Sequence, residues 1–499
     1  MKFLLKYILF LHCSFLMAQV PVKFNYSYTM NNCNSRSMCV YRYDNKYFVF
    51  GHSTNTLTGQ QNGLNLLITD TFGLEVQQKQ FYHPGNYLFY ANSIRPFQLL
   101  HDKYVMFSGH LSLAYQHNNG VLVKFNLSTK DTMWVKSYNQ PGDSCEFFTS
   151  TFLADSSILV VGERYYLSNG VGYNKPFIMK TDKNGNYKWH KYLYNIWNSY
   201  SMLPHKIVKI NENSFVIGGN KISNTQNGFI LKTDTNANLI FDVGLIGLSK
   251  GILMDLILLN DGSGLGIGAN YIYQDYVKKL VYQFNINTGV KIKSASYNIE
   301  SKANGSLCGI QKDNGIIFIG GGTGPGPQLP LTTPIPDVLR LNNNLDSIST
   351  YFFPLPTNSQ LAPYHIINTN DGGFLTTLFH IPQPGTPKNW LIKADSTGCF
   401  EVNCPVNNGI EEAEKENGEL MVWPNPATNH FNIRKFSRLN LSKINVSIVN
   451  YLGEVILKET IEDSVSEIQI SCEQMKSGIY LIRLNSEKAF FETKLIINK

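Results

Sequence analysis

The sequence predicts an all-β fold in two parts, and three observations carry that prediction. Tyr (28) and Phe (30) are plentiful in a chain of 499 residues that is 43% apolar and only 16% charged, a balance that favours strands and opposes disorder. A pattern with a period in the fifties runs through most of the chain. After Cys404 the composition changes abruptly and a different pattern takes over. A chain this long holds several domains or one large repeat assembly.

The first element is expected to be removed. "MKFLLKYILFLHCSFLMAQVPV" has a basic start (Lys2, Lys6), an apolar run from Tyr7 to Met17 and a small-residue cleavage site between Ala18 and Gln19. Residues 1–18 therefore read as a secretory signal peptide. The run is shorter than the roughly 20 residues that span a bilayer, and no other segment is apolar enough, so no transmembrane segment is expected in the mature chain. Losing Lys2 and Lys6 takes two from the formal charge of +7. The remaining Lys and Arg are scattered, which indicates no nucleic-acid partner. Without Cys13, the mature chain keeps seven of the eight cysteines. Cys399 and Cys404 lie close together in "GCFEVNCP", and an exported chain meets oxidising conditions, so they are expected to form a disulfide, with two buried free thiols as the alternative. Cys33 and Cys39 are a second candidate pair.

The second element, residues 19–404, is the repeat. "FIMKTDKNGNYKWHKYL" (Phe177 to Leu193) returns as "FILKTDTNANLIFDVGL" (Phe229 to Leu245), aligned on Asp182 and Asp234. The same apolar run ending in Asp or Asn occurs at Asp70, Asn126, Asn285, Asn342 and Asp395, with successive spacings of 56, 56, 52, 51, 57 and 53 residues. Upstream of each marker lies a strand that usually ends in glycine, such as "KYFVFGH", "SILVVGE" and "SFVIGGN", and before that a shorter strand joined to it by a tight turn such as "DN" or "NDG". Four strands per unit and seven units make the arithmetic of a seven-bladed β-propeller. The marker is explained by its turn, because Asx side chains bond their own nearby backbone and Gly accepts the left-handed conformation. The seventh unit lacks a fourth strand, and "VKFNYSYT" (Val22 to Thr29) is expected to supply it and close the ring. The units resemble the delta-60 and quinoprotein-like propeller repeats, with the complete Asp-x-x-Gly-x-x-x-Trp form only at Asp182, Gly185 and Trp189. Trp189 is expected to pack between blades.

The third element, 405–419, is polar and acidic and reads as a linker. In the last, 420–499, "LMVWPNPATNHFNI", "INVSIVNYLGEVILKE", "IQISCEQMKSGIYLIRL" and "FFETKLIINK" alternate apolar and polar residues, which predicts a small Ig-like β-sandwich. The stretches "WPNPATNHF", "NYLGEVI", "MKSGIYLIRL" and "KLIINK" resemble, in order, the type A C-terminal sorting domain of the type IX secretion system of Bacteroidetes. The resemblance implies Trp423, Pro424, Asn425, Pro426, Gly453, Gly478 and Tyr480 as the sorting motif. It implies the Sec machinery and the type IX translocon as partners, and a destination outside the cell or on the outer-membrane surface of a Gram-negative bacterium. The glycines are expected where the backbone has no room for a Cβ.

Function is expected in the loops between second and third strands, which are rich in Tyr, Asn, Gln and Gly. Tyr115, Tyr165, Tyr173, Tyr271 and Tyr273 are the candidate ligand-binding residues, since rings stack on apolar faces while amides exchange hydrogen bonds, which suits a glycan or a protein ligand. His52, His110 and His380 stand at comparable places after second strands, and strand-end histidines bonded to backbone or water explain them without a metal. Glu163 and Asp275 form no acid–base pair by spacing. No nucleophile elbow, Walker loop or H-E-x-x-H occurs, and the glycines from Gly320 to Gly326 open no helix. Neither catalytic residues, a cofactor nor a metal is expected. The preferred expectation is an exported binding or adhesion module, and the alternative is a secreted propeller enzyme acting on glycans or as a quinoprotein-like oxidoreductase.

Overall fold

The computed structural model describes residues 22–31, 33–55, 62–83, 88–91, 95–100, 103–112, 118–138, 144–168, 171–193, 201–222, 226–244, 251–273, 276–302, 307–312, 314–323, 335–353, 359–382, 386–400, 419–436, 443–450, 454–462, 467–485 and 490–499. Among them every regular element is a β-strand. The chain divides into two compact units, Met1–Pro405 and Val406–Lys499. The predicted signal peptide and linker lie outside the described residues.

The first unit is a succession of antiparallel meanders. The first sheet holds Cys33–Tyr43, Lys46–Asn55, Asn62–Asp70 and Glu75–Phe81. Similar four-stranded sheets begin at Ser144, Ser201, Gly251, Cys308 and Ser359. The second sheet departs from the expected pattern: its first strand is split into Leu88–Tyr90 and Phe97–Leu100, which both pair with Tyr104–Ser112. Pro96 sits at the break, where it has no N–H to give to a ladder, and Arg95 beside it is 2% exposed. The strand Phe24–Tyr28 pairs with Lys388–Ala394, Phe24 opposite Lys393 and Tyr28 opposite Asn389, so the start of the unit completes the sheet at its end.

The turns follow the sequence pattern. Asp44 and Asn45 have φ of 48° and 51°, the two left-handed residues of a tight hairpin. At all seven markers the Asx Oδ1 accepts the N–H two residues on: Phe72, Ser128, Asn184, Asn236, Asn287, Asn344 and Thr397 give 2.8 to 2.9 Å. In five units the third residue after the marker has positive φ: Gly73, Gly185, Ala237, Leu345 and Gly398. In the other two the fourth does, Lys130 and Gly289.

Packing runs between sheets. Phe50 and Leu66 of the first sheet share a buried cluster with Phe107 and Phe125 of the second. Each following cluster joins one sheet to the next. The last joins Leu375 and Leu391 with Val49 and Leu67 of the first sheet, closing the order on itself. Each sheet therefore buries both faces, which explains the near-continuous apolar runs of the middle strands. Trp189 packs on the cluster that contains Phe229 and Ala237 of the following sheet. Outer strands are also latched to the next turn: Tyr138 donates to the carbonyl of Gly185 at 2.5 Å, Tyr297 to that of Leu345 at 2.6 Å, and Tyr28 to that of Gly73 at 2.5 Å.

The second unit has two antiparallel sheets. One holds Glu419–Trp423, His430–Phe436 and Glu467–Ser471, the other Val455–Glu462, Lys443–Asn450, Gly478–Asn485 and Phe490–Ile497. Phe431, Val446, Ile448, Ile482 and Leu495 are buried between them.

Candidate functional site

A β-bulge recurs in the first strand of the sheets, at Met38, Phe148, His205, Met254 and Tyr364, and resets which way the following residue faces. The residues after the bulges, Cys39, Thr149, Lys206, Asp255 and His365, are mostly polar. Several of them meet. Arg95 donates to Asp255 Oδ2 at 3.2 Å and to the carbonyl of Leu307 at 3.0 Å, while the same carboxylate oxygen accepts Gly309 N–H at 3.1 Å. Lys206 Nζ reaches Gln98 Oε1 at 3.4 Å, and His365 bonds the backbone of Val40. The charges of Arg95 and Lys206 are felt at both Cys39 and His365.

This buried polar cluster was missed in the sequence because its members lie in different repeats. Its electrostatics follow from burial. Burial pushes His205 down to about 4, helped by Arg95, and drives His365 well below 6.5. It raises the Cys308 thiol to about 11 and lowers Lys206. Burial is the largest influence on Arg95 and works against its charge, but Asp255 and Cys308 together outweigh it and hold the guanidinium charged. With its carboxylate spent on Arg95 and a backbone amide, the cluster ties sheets together.

The second strands run on past the polar residues expected at their ends, and those residues act in the same way. Glu163 accepts Met202 N–H at 2.9 Å and Asn220 accepts Leu253 N–H at 2.6 Å, each on the first strand of the following sheet. His52 bonds the backbone of Phe89, also one sheet on, and burial with the nearby His110 lowers it to about 4. His110 stacks on Tyr90 with centroids 5.5 Å apart. No group of three or more metal-ligating side chains occurs among the described residues.

Of the tyrosines predicted to bind ligand, Tyr115 lies outside the described residues. Tyr165 is 39% exposed on Ile158–Ser168, opposite Asn174 of Val171–Thr181, the strand that carries Tyr173. Beside them Arg164 donates to Tyr192 Oη at 2.8 Å and Lys175 stands 4.3 Å over the Tyr192 ring. Tyr271 and Tyr273 are on Gly264–Tyr273, opposite Val277 and Tyr276 in a different sheet. The backbones of these four residues thus fall on two different sheets. Asp275 and the loop tips lie outside the described residues, and His380 is on Phe374–Pro382 opposite Lys388.

Cys33 and Cys39 are both free, contrary to the second candidate pair. They sit six residues apart on one strand, about 20 Å at the strand rise, too far to bridge. Cys399 is not among the free thiols, and Cys404 lies outside the described residues.

In the second unit, Asn425 Oδ1 accepts Ile496 N–H at 2.8 Å and Ala427 bridges to Ile497, so the "WPNP" segment is bound to the final strand. Trp423 pairs with Asn432, and Tyr480 donates to the carbonyl of Lys476 at 2.9 Å. Gly478 differs from expectation: a Cβ there would meet nothing nearer than the Tyr480 ring at 3.8 Å, and its φ is not positive, so crowding does not account for it. Gly453 lies outside the described residues.

Residues 421–498 match the family model of the secretion system C-terminal sorting domain. That tail implies the type IX secretion machinery and indicates export across the outer membrane, to the surface or beyond. No helix among the described residues is long and apolar enough to cross a membrane. No curated protein matches the chain. Among solved structures, the polysaccharide lyase Uly1 is 11% identical over 75% of this chain and 92% of its own, with a TM-score of 0.42. A K499G mutant of NanB sialidase from Streptococcus pneumoniae is 9% identical over 76% and 71%, also at 0.42. The phage phi92 endosialidase is 9% identical over 95% and 88%, at 0.41. At such scores these likenesses carry no argument about activity.

Proposed function

We propose that the first unit is a seven-bladed β-propeller acting as a binding or adhesion module, and that the second delivers it through the type IX system. The observation that carries the propeller reading is the cyclic packing, in which Phe24–Tyr28 completes the sheet of Lys388–Ala394 and that sheet shares a cluster with the first. Binding rather than chemistry is supported by the use of Glu163, Asn220 and Asp255, polar residues at repeated places, as hydrogen-bonded ties between sheets. The residues free to vary are then those at the far end of the second and third strands and in the loops that join them, Tyr165 and Tyr173 on Ile158–Ser168 and Val171–Thr181 among them. A glycan or protein ligand there suits rings flanked by amides. Pairing of Cys399 with Cys404 closes the unit after its last turn.

The exported protein, probed against arrays of glycans and surface proteins, is expected to retain a ligand that Tyr165→Ala weakens. Retention unaffected by Tyr165→Ala and by Tyr173→Ala moves the site away from this hairpin. Retention of nothing on the arrays defeats the binding reading.

A further inference from the structure

The marker turn of the third repeat, Asp182 to Asn186, borders a cavity that neither the turn nor the sheet packing requires. It is a shallow opening of about 540 Å³ whose lining includes Asp155, Lys180, Lys183, Lys188 and Trp189. Both carboxylates in its wall are engaged. Asp155 accepts Ser157 N–H at 2.9 Å and faces Lys180 at 3.6 Å, while Asp182 accepts the amides of Asn184 and Asn186, each at 2.8 Å. Lys183 and Lys188 are exposed and have no ion-pair partner within 4 Å among the described residues. Lys124 stands near enough for its charge to interact with that of Lys183, and Lys136 reaches Asn186 Oδ1 at 3.4 Å. Ammonium groups therefore outnumber carboxylates around a half-buried indole.

The turn does not need these lysines. At their places the fourth repeat has Thr235 and Ile240 and the first has Thr71 and Val76, yet Asp234 and Asp70 make the same backbone hydrogen bonds. The combination of Lys183, Lys188 and the complete Trp form is a property of the third repeat alone.

We propose that this cavity binds an acidic polysaccharide, with a uronate unit seated against Trp189 and its carboxylate between Lys183 and Lys188. An indole offers an apolar face to the C–H face of a sugar, and an ammonium group forms a charge-assisted hydrogen bond with a carboxylate. The hydrogen-bonded turn holds the wall in place before the ligand arrives, which reduces the ordering cost of binding. The site is at the turn end of the strands, opposite the loops invoked above, so either site can fail without the other.

The test is retention of the exported protein on immobilised polygalacturonate at low salt, with neutral dextran as the blank. The wild type is expected to bind in a salt-sensitive way, and Lys183→Gln with Lys188→Gln to weaken binding about fivefold. Lys458→Gln with Lys476→Gln, an equal charge change on the second unit, is expected to leave retention unchanged. The proposal is overturned by a wild type that does not bind, by a double variant that binds as well, or by an equal loss in the control pair. It is also overturned if a single-stranded oligonucleotide of equal charge competes as well as free polygalacturonate, which would make the site a general polyanion surface.

Discussion

Asp234 shows why one residue type recurs in every repeat. Its Oδ1 takes the N–H groups of Asn236 at 2.9 Å and Asn238 at 2.7 Å; the amide oxygen of Asn342 takes the corresponding pair, from Asn344 and Asp346, and those of Asn126 and Asn285 keep the first of the two. Asp234→Asn should therefore keep both backbone bonds but lose the one that Oδ2 accepts from Asn238 Nδ2 at 2.7 Å, at a cost of about 1 kcal/mol, while Asp234→Ala should cost about 1 kcal/mol for each of the three bonds lost, read from the urea midpoint. Positive φ divides the turn residues further. Lys130, half-buried at φ 58°, occupies the place of Gly289, so Lys130→Gly should gain up to about 1 kcal/mol by relieving left-handed strain. Leu345 at φ 65° bears the same strain but is 2% exposed, and Leu345→Gly should lose about 2 kcal/mol because burial outweighs relief. The buried histidines give stability a pH dependence. His52 and His205 have folded values near 4 against 6.5 when unfolded, so the unfolded chain takes up protons first. Stability is complete above pH 6.5 and falls as pH drops towards 4, by at most about 3 kcal/mol for each group. His205→Gln should flatten that slope in denaturation curves taken across the range; an unchanged slope would remove His205 as its source.

At the scale of elements, the strand Phe24–Tyr28 closes the first unit. It supplies Phe24 and Tyr28 to a buried cluster, and the Tyr28 hydroxyl is a latch like those of Tyr138 and Tyr297. Tyr28→Phe should cost about 1 kcal/mol. Deleting residues 22–29 should do far more, because it bares the edge of Lys388–Ala394 and promotes aggregation; an unchanged urea midpoint would contradict the closure. The alternation of apolar runs and Asx turns made most strands legible, and even the pairing of "VKFNYSYT" with the final sheet. The polar cluster was not legible in the same way. Arg95 arrives through a broken strand that no repeat template contains, and Asp255 and His365 meet it only once the sheets have closed. A trace was present: aligning "MCVYRY", "HKIVKI" and "YHIINT" on their second residues puts Cys39, Lys206 and His365 in one column. The ligand site stays less legible still, since loop residues such as Tyr115 belong to no repeat and no local rule fixes where their rings go.

For the whole molecule, the two units divide the work. The first builds a frame from repeated turns, and under the proposed function its non-repeating loops and the lysines around Trp189 are what would recognise ligands. The second is an independent β-sandwich, in which Asn425 and Ala427 fasten the "WPNP" segment to the last strand, and the sorting-domain match covers residues 421–498 of it. Because the units are separate compact bodies, removing the second should leave the first folded while changing where it goes. The decisive measurement is the fate of the chain lacking Leu420 to Lys499 in a host with a working type IX system, followed by cell fractionation and by protease added to intact cells. The account predicts a folded first unit held in the periplasm and shielded from external protease, with the intact chain outside. Equal delivery of both to the surface or the medium would contradict it.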